Sequence, residues 1–129
     1  MAITVNGYDG NPFTQASVAY FDRTIRTIYR LAFSGSYATS GDTLDFTNGG
    51  VNSAVPGYAT KIISVVAYGN GTGSTITALG GIYVPTVGTA ITNWLLEIFK
   101  VGGTQYSAGA YSTDVTGDVV FLEVNWARD

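Results

Sequence analysis

Two stretches of strict alternation constrain what this chain can build. In Thr24–Phe33, the residues Ile25, Thr27, Tyr29, Leu31 and Phe33 fall on one side of an extended backbone, and Thr24, Arg26, Ile28, Arg30 and Ala32 fall on the other. In Val119–Trp126, the residues Val120, Leu122, Val124 and Trp126 share a side in the same way. Successive side chains of a strand point to opposite faces, so a period of two marks a strand with one face in a core. The β-branched and aromatic content favours strand over helix. Arg26 and Arg30 share the outward side of the first strand. Such a pair is first of all a solvated face, and secondly a grip for carboxylates on a partner.

The remaining apolar runs are short and punctuated by turn residues. Ala2–Tyr8 places Ile3 and Val5 on one side, and Asp9-Gly10-Asn11-Pro12 closes it. Residues 1–12 therefore read as an N-terminal strand or arm that packs on its own sheet by default, or else reaches to a neighbour. Lys61–Tyr68 is a near-continuous apolar run, as expected for a strand covered on both sides. Gly69-Asn70-Gly71-Thr72-Gly73 and Thr75–Leu79 read as a hairpin tip and a short strand, and Ile82–Val84 as another strand. No Gly-Lys-Ser/Thr follows these glycines and no helix opens after them, so they do not make a phosphate loop. Asn70-Gly71-Thr72 is formally a glycosylation sequon. Ile91–Val101 has Trp94, Leu96, Ile98 and Lys100 against Asn93, Leu95, Glu97 and Phe99. It is also the best helical candidate, through Leu95, Leu96 and Phe99, but its closely bounding glycines favour a strand.

The expectation is one domain over residues 1–129, all-β, a single β-sandwich of jelly-roll type with about eight strands. With 129 residues, the chain is long enough for a two-layer core, and without cysteine it has no disulfide. Met1–Gly10 has neither the basic n-region nor the apolar h-region of a signal peptide, and no run is long enough to cross a bilayer. The protein is therefore expected to be soluble and unprocessed, made in a cytoplasm and free of membrane.

Only 12% of the residues are charged and 46% are hydrophobic, with nine Tyr and six Phe. An average globular chain is roughly 25% charged. Thr, Ser, Asn and Gly cover part of an uncharged surface, while surfaces pressed against other subunits are poor in charge and rich in aromatics. The aromatic excess favours the second reading, with an intersubunit seam that includes exposed rings such as Tyr106 or Tyr111. A net charge of −3 argues against a nucleic-acid partner.

No histidine and no cysteine are present, which removes Ser-His-Asp and Cys-His catalysis and ordinary zinc sites. Paired-carboxylate chemistry would need two acids flanking a cleft. Asp42 and Asp45 lie close in sequence, but odd spacing sends them to opposite faces of a strand. Asp9/Asn11 and Asp114/Asp118 cluster the hard oxygen ligands that calcium takes, without the regular spacing of a calcium loop. Turn chemistry accounts for them more simply. The expectation is a protein that is not an enzyme, with no catalytic residue, no metal site and no cofactor.

Tyr37-Ala38-Thr39-Ser40-Gly41-Asp42-Thr43-Leu44-Asp45-Phe46 reads as a structural corner. Gly41 allows φ > 0, Ser40 and Asp42 can bond neighbouring amides, and Thr39–Asp42 makes a tight turn. Leu44 and Phe46 then point inward, while the Tyr37 ring pins the approach to the turn against a sheet. An aromatic, a Thr-x-Gly-Asp turn and Leu-Asp-Phe in this order resemble a segment near the front of small head proteins of tailed bacteriophages, the decoration or cement proteins of the capsid exterior. The likeness covers these ten residues, and Ser40 stands where phage sequences commonly show a second glycine. The resemblance implies a jelly roll or β-sandwich, frequently a homotrimer, with the major capsid protein as partner and the outer capsid surface of the virion as location. A carbohydrate-binding module of a fibre or spike is the alternative from another class, since Tyr, Trp and Asn on a sandwich can form a sugar face.

Overall fold

The structure is a computed structural model that describes residues 3–6, 17–33, 35–38, 41–46, 56, 58–70 and 79–128. It is all-β, built of antiparallel sheets, with one helical turn among the described residues, α1 (Thr113–Thr116). The first sheet contains β1 (Ile3–Asn6), β2 (Ser17–Tyr20), β3 (Thr24–Phe33), β6 (Ala59–Asn70) and β10 (Val119–Arg128). Here β10 lies between β3 and β6, while β1 and β2 share the opposite edge of β3. The second sheet is β5 (Asp42–Leu44), β8 (Trp94–Lys100) and β7 (Gly81–Thr86), with β8 central. A small ribbon pairs β4 (Ser36–Tyr37) with β9 (Gly109–Ala110).

The alternation seen in sequence becomes burial. Ile25, Thr27, Tyr29 and Leu31 of β3 are buried, as are Val120, Leu122, Val124 and Trp126 of β10. The register sets Leu122 opposite Tyr29 and Val124 opposite Thr27, so the two inward rows lie side by side. From the second sheet, Leu44, Tyr83, Trp94, Leu96 and Ile98 join the same core cluster. Fully burying a side chain of this kind contributes about 1.5–3 kcal/mol. Phe46 sits among rings, with centroids 6.1 Å from Tyr29, 6.4 Å from Trp94 and 6.0 Å from Trp126. Polar groups inside this region are bonded to one another: Trp126 Nε1 donates to Thr27 Oγ1 at 2.9 Å, and the Tyr29 hydroxyl bonds with both side chains. Within the expected Ile91–Val101 strand, Trp94–Lys100 is β8 and the ends are turns; none of it is the helix it could also have been.

One expectation needs correction. The Lys61–Tyr68 run was expected to be covered on both faces, but it lies in a sheet with one covered face. Ile62, Val65 and Ala67 pack against the core, whereas Ile63, Val66 and Tyr68 are exposed. Two register shifts against β10, at Asn125/Trp126 and Ala127/Arg128, leave Ile63 and Thr60 without a cross-strand partner there. Such bulges twist a strand and re-aim its side chains. The expected strand Thr75–Leu79 up to residue 78, the Asn70-Gly71-Thr72 sequon beyond Asn70, the Asp9/Asn11 pair, and Thr39 and Ser40 of the expected turn lie outside the described residues. Residues 3–6 of the expected arm pair with β3 of the same chain.

Candidate interaction surface

The corner is a bonded unit. Gly41 has φ 101° and its N–H donates to Ala38 O at 2.8 Å, closing a turn. Asp42, buried at the start of β5, accepts from Ala38 N at 3.0 Å and from the Tyr111 hydroxyl. Tyr37 is buried, and its phenolic oxygen accepts from Ile98 N at 2.9 Å and Gln105 Nε2 at 2.7 Å. It thereby ties the small ribbon to the central strand of the second sheet. Leu44 and Phe46 are both fully buried, although β5 ends at Leu44 and the Phe46 N–H turns to Ile91 O at 3.0 Å. Every polar atom named here faces a protein donor or acceptor, which is the arrangement of a structural joint.

Asp118 is a second such joint. It accepts from Gly80 N at 2.8 Å, Gly81 N at 3.1 Å and the Tyr83 hydroxyl at 2.5 Å, so its oxygens are turned to protein donors and not to a cation. Among the described residues, no group of three or more His, Cys, Asp or Glu could hold a metal ion. Burial raises the Tyr83 and Tyr111 phenols above the usual tyrosine range, and the neighbouring carboxylates Asp118 and Asp42 raise them further. Both remain neutral donors.

The expected seam tyrosines are half-buried instead of exposed. Tyr111 packs edge-on against Phe33, with centroids 5.5 Å apart, and lies 6.1 Å from Tyr37. Tyr106 lies under the Lys100 ammonium at 5.7 Å, and its N–H donates to Ile98 O at 3.0 Å. The reason is tertiary: the loop after β8 folds back onto the corner and uses these rings as internal packing.

The exposed apolar surface lies elsewhere, on the outer face of the five-stranded sheet. Register places Arg30, Phe121 and Tyr68 in one cross-strand row, and Ile28, Glu123 and Val66 in the next. The Tyr68 and Phe121 rings stack at 5.8 Å. Ile63 is 54% exposed and Val66 50%. Arg26 borders this strip, with its Nε 3.8 Å from Glu123 Oε1. Arg26 and Arg30 thus share a face with the exposed apolar residues, from which they are separated by β10. Sequence reasoning found these arginines but missed the strip. The available signal was the apolar Lys61–Tyr68 run itself, which is too greasy for a strand with one covered face.

An open groove of about 300 Å³ lies between the start of β6 and residues 87–91, with Lys61, Ile62, Ile91 and Trp94 in its walls. Trp94 is 9% exposed, too little to serve as a stacking platform for a sugar. No protein-family model, no curated protein and no solved structure matches the chain.

Proposed function

We propose that this protein is a non-enzymatic structural component of a virion, a decoration protein that docks on the outer surface of a tailed-phage head and ties major capsid subunits together. The observation that carries the reading is the outer sheet face, where Val66 and Tyr68 of β6 stand exposed beside Phe121 of β10, with Ile63 exposed further along β6 and Arg26 and Arg30 on the neighbouring β3. A strand that is apolar on both sides but covered on one is incomplete without a partner, and interface cores have this aromatic, charge-poor composition. The likeness of Tyr37–Phe46 to phage head proteins supplies the class of partner.

In this reading the two larger sheets form a β-sandwich of jelly-roll type, and three copies associate. Each contact holds modest apolar area, but a trimer engages several capsid subunits at once. The effective concentration of the second and third contacts then multiplies the affinity, and separation of the subunits becomes costly. No chemical step is required, which agrees with a chain without histidine or cysteine.

Native mass spectrometry and co-sedimentation with heads test the reading. The expected result is a trimer that pellets with heads built from the major capsid protein encoded beside its gene. A protein that stays monomeric at high concentration and remains in the supernatant would refute it.

A further inference from the structure

Cations and rings gather at the end of the five-stranded sheet where β2 turns into β3. The Arg128 guanidinium lies 5.4 Å from the Tyr20 ring centroid and 6.0 Å from that of Tyr58. Its Nη1 donates to Phe21 O at 2.8 Å, and its backbone N–H donates to Arg23 O at 3.0 Å. Arg26 stands 5.6 Å over the Phe21 ring. Register brings Lys61 alongside Ala127 at the same end. Four of the six cationic residues of a chain with net charge −3, Arg23, Arg26, Lys61 and Arg128, therefore lie along one rim, with Asp22 in the same turn as Arg23 and Arg26 paired with Glu123.

Tyr58 adds an independent observation. Its φ is 67°, a left-handed conformation that a β-carbon disfavours, and its side chain is 72% exposed. Burial does not repay that strain. What the conformation achieves is a ring beside Arg128, opposite Tyr20. A solvated arginine at a strand end needs no such support. The guanidinium carbon lies within cation–π range of both rings, which restrains the side chain at the sheet end. One N–H is used on Phe21 O, and among the described residues no carboxylate pairs with Arg128.

A guanidinium with donors to spare matches a carboxylate through two parallel hydrogen bonds. Phosphate fits the same fork, but a nucleic-acid backbone would bring dense negative charge towards an acidic protein with pI near 4.6. A polypeptide segment carrying a few carboxylates has a lower charge density and meets less of that long-range repulsion. We infer that this rim, centred on Arg128 between Tyr20 and Tyr58, is the docking point for a carboxylate-rich segment of the partner protein. The inference rests on the chain being a docking protein and adds the chemistry of what it grips.

The test is fluorescence anisotropy with a labelled Glu-rich peptide, its Gln-for-Glu counterpart and a single-stranded DNA oligonucleotide, followed by head binding with the same variants. The wild-type protein should bind the Glu-rich peptide saturably, more weakly as salt rises, and the Gln version far less. Arg128→Ala should weaken binding about tenfold or more, and Arg128→Lys should restore only part of it. Tyr58→Gly removes the ring while tolerating the backbone angle, so it should weaken peptide binding with no loss of melting temperature. No peptide binding by the wild type, preference for the DNA, or undiminished binding by Tyr58→Gly and Arg128→Ala would each overturn the inference. So would unimpaired head binding by both variants, which would leave the decoration reading standing. Peptide binding by a protein that ignores heads would instead support the rim and remove the decoration reading.

Discussion

The Tyr83 hydroxyl donates to the Asp118 carboxylate at 2.5 Å across 35 positions of sequence, and the same carboxylate accepts from the Gly80 and Gly81 amides. One buried side chain thereby fixes the start of β7 to the start of β10, coupling the second sheet to the first. Asp118→Ala would strand three donors in a region largely closed to water. A loss of about 2–4 kcal/mol is expected, since each unsatisfied buried group costs about 1–3 kcal/mol and relaxation recovers part of it. Tyr83→Phe removes one donor and leaves the amides bonded, so about 1 kcal/mol is expected. Urea denaturation of both variants checks the order, and equal stability would show that the joint is dispensable.

Tyr37→Phe is a matching probe of the corner. It keeps the ring but takes the acceptor from Ile98 N and Gln105 Nε2. Ile98 lies in the central strand of its sheet, where its amide has nowhere else to turn, and a loss of about 1–3 kcal/mol follows. Hydrogen exchange should locate the change at Ile98, with faster exchange there than in wild type. Unchanged protection at that amide would contradict the assignment.

Three phenols set the alkaline behaviour. Tyr29, Tyr83 and Tyr111 are raised above the ordinary tyrosine value, in each case chiefly by burial. In the unfolded chain they ionise near pH ~10. The folded-state values are higher, so this contribution to stability is complete below pH ~10 and is lost progressively as the pH rises through the raised values. Tyrosinate absorbance should therefore show Tyr29, Tyr83 and Tyr111 silent until the protein unfolds. Ionisation of these three at pH ~10, assigned by comparison with their Phe variants and with circular dichroism unchanged, would be the contrary result.

The outer face gives a substitution that separates docking from folding. Val66 is half exposed and stands opposite Glu123. Val66→Lys places a cation across from that carboxylate, so stability should stay within about 0.5 kcal/mol of wild type. Because the change breaks the apolar strip, trimer formation or head binding should fall by tenfold or more, read by analytical ultracentrifugation and co-sedimentation. Retention of both would move the docking surface away from this face.

Much of the inward-facing chain was legible before any tertiary information. The alternations in Thr24–Phe33 and Val119–Trp126 reappear as two adjacent buried rows, and Leu44 and Phe46 enter the core as their spacing required. The Gly41 turn and the bonding role of Asp42 were equally local, depending on one φ and one nearby amide. The Arg128, Tyr20 and Tyr58 cluster was not legible, because its members are far apart in sequence and meet only through strand pairing. Nor was the internal role of Tyr111, whose partner Asp42 lies 69 positions away.

By itself the sequence determined an all-β chain, its inward rows, its corner and its lack of imidazole and thiol chemistry, because each depends on residue type or on neighbours a few positions apart. Tertiary structure alone decided which apolar face stays uncovered, which tyrosines turn inward and where the cations collect. Those outcomes depend on register and sheet order, which bring distant residues together and leave no periodic trace in the chain.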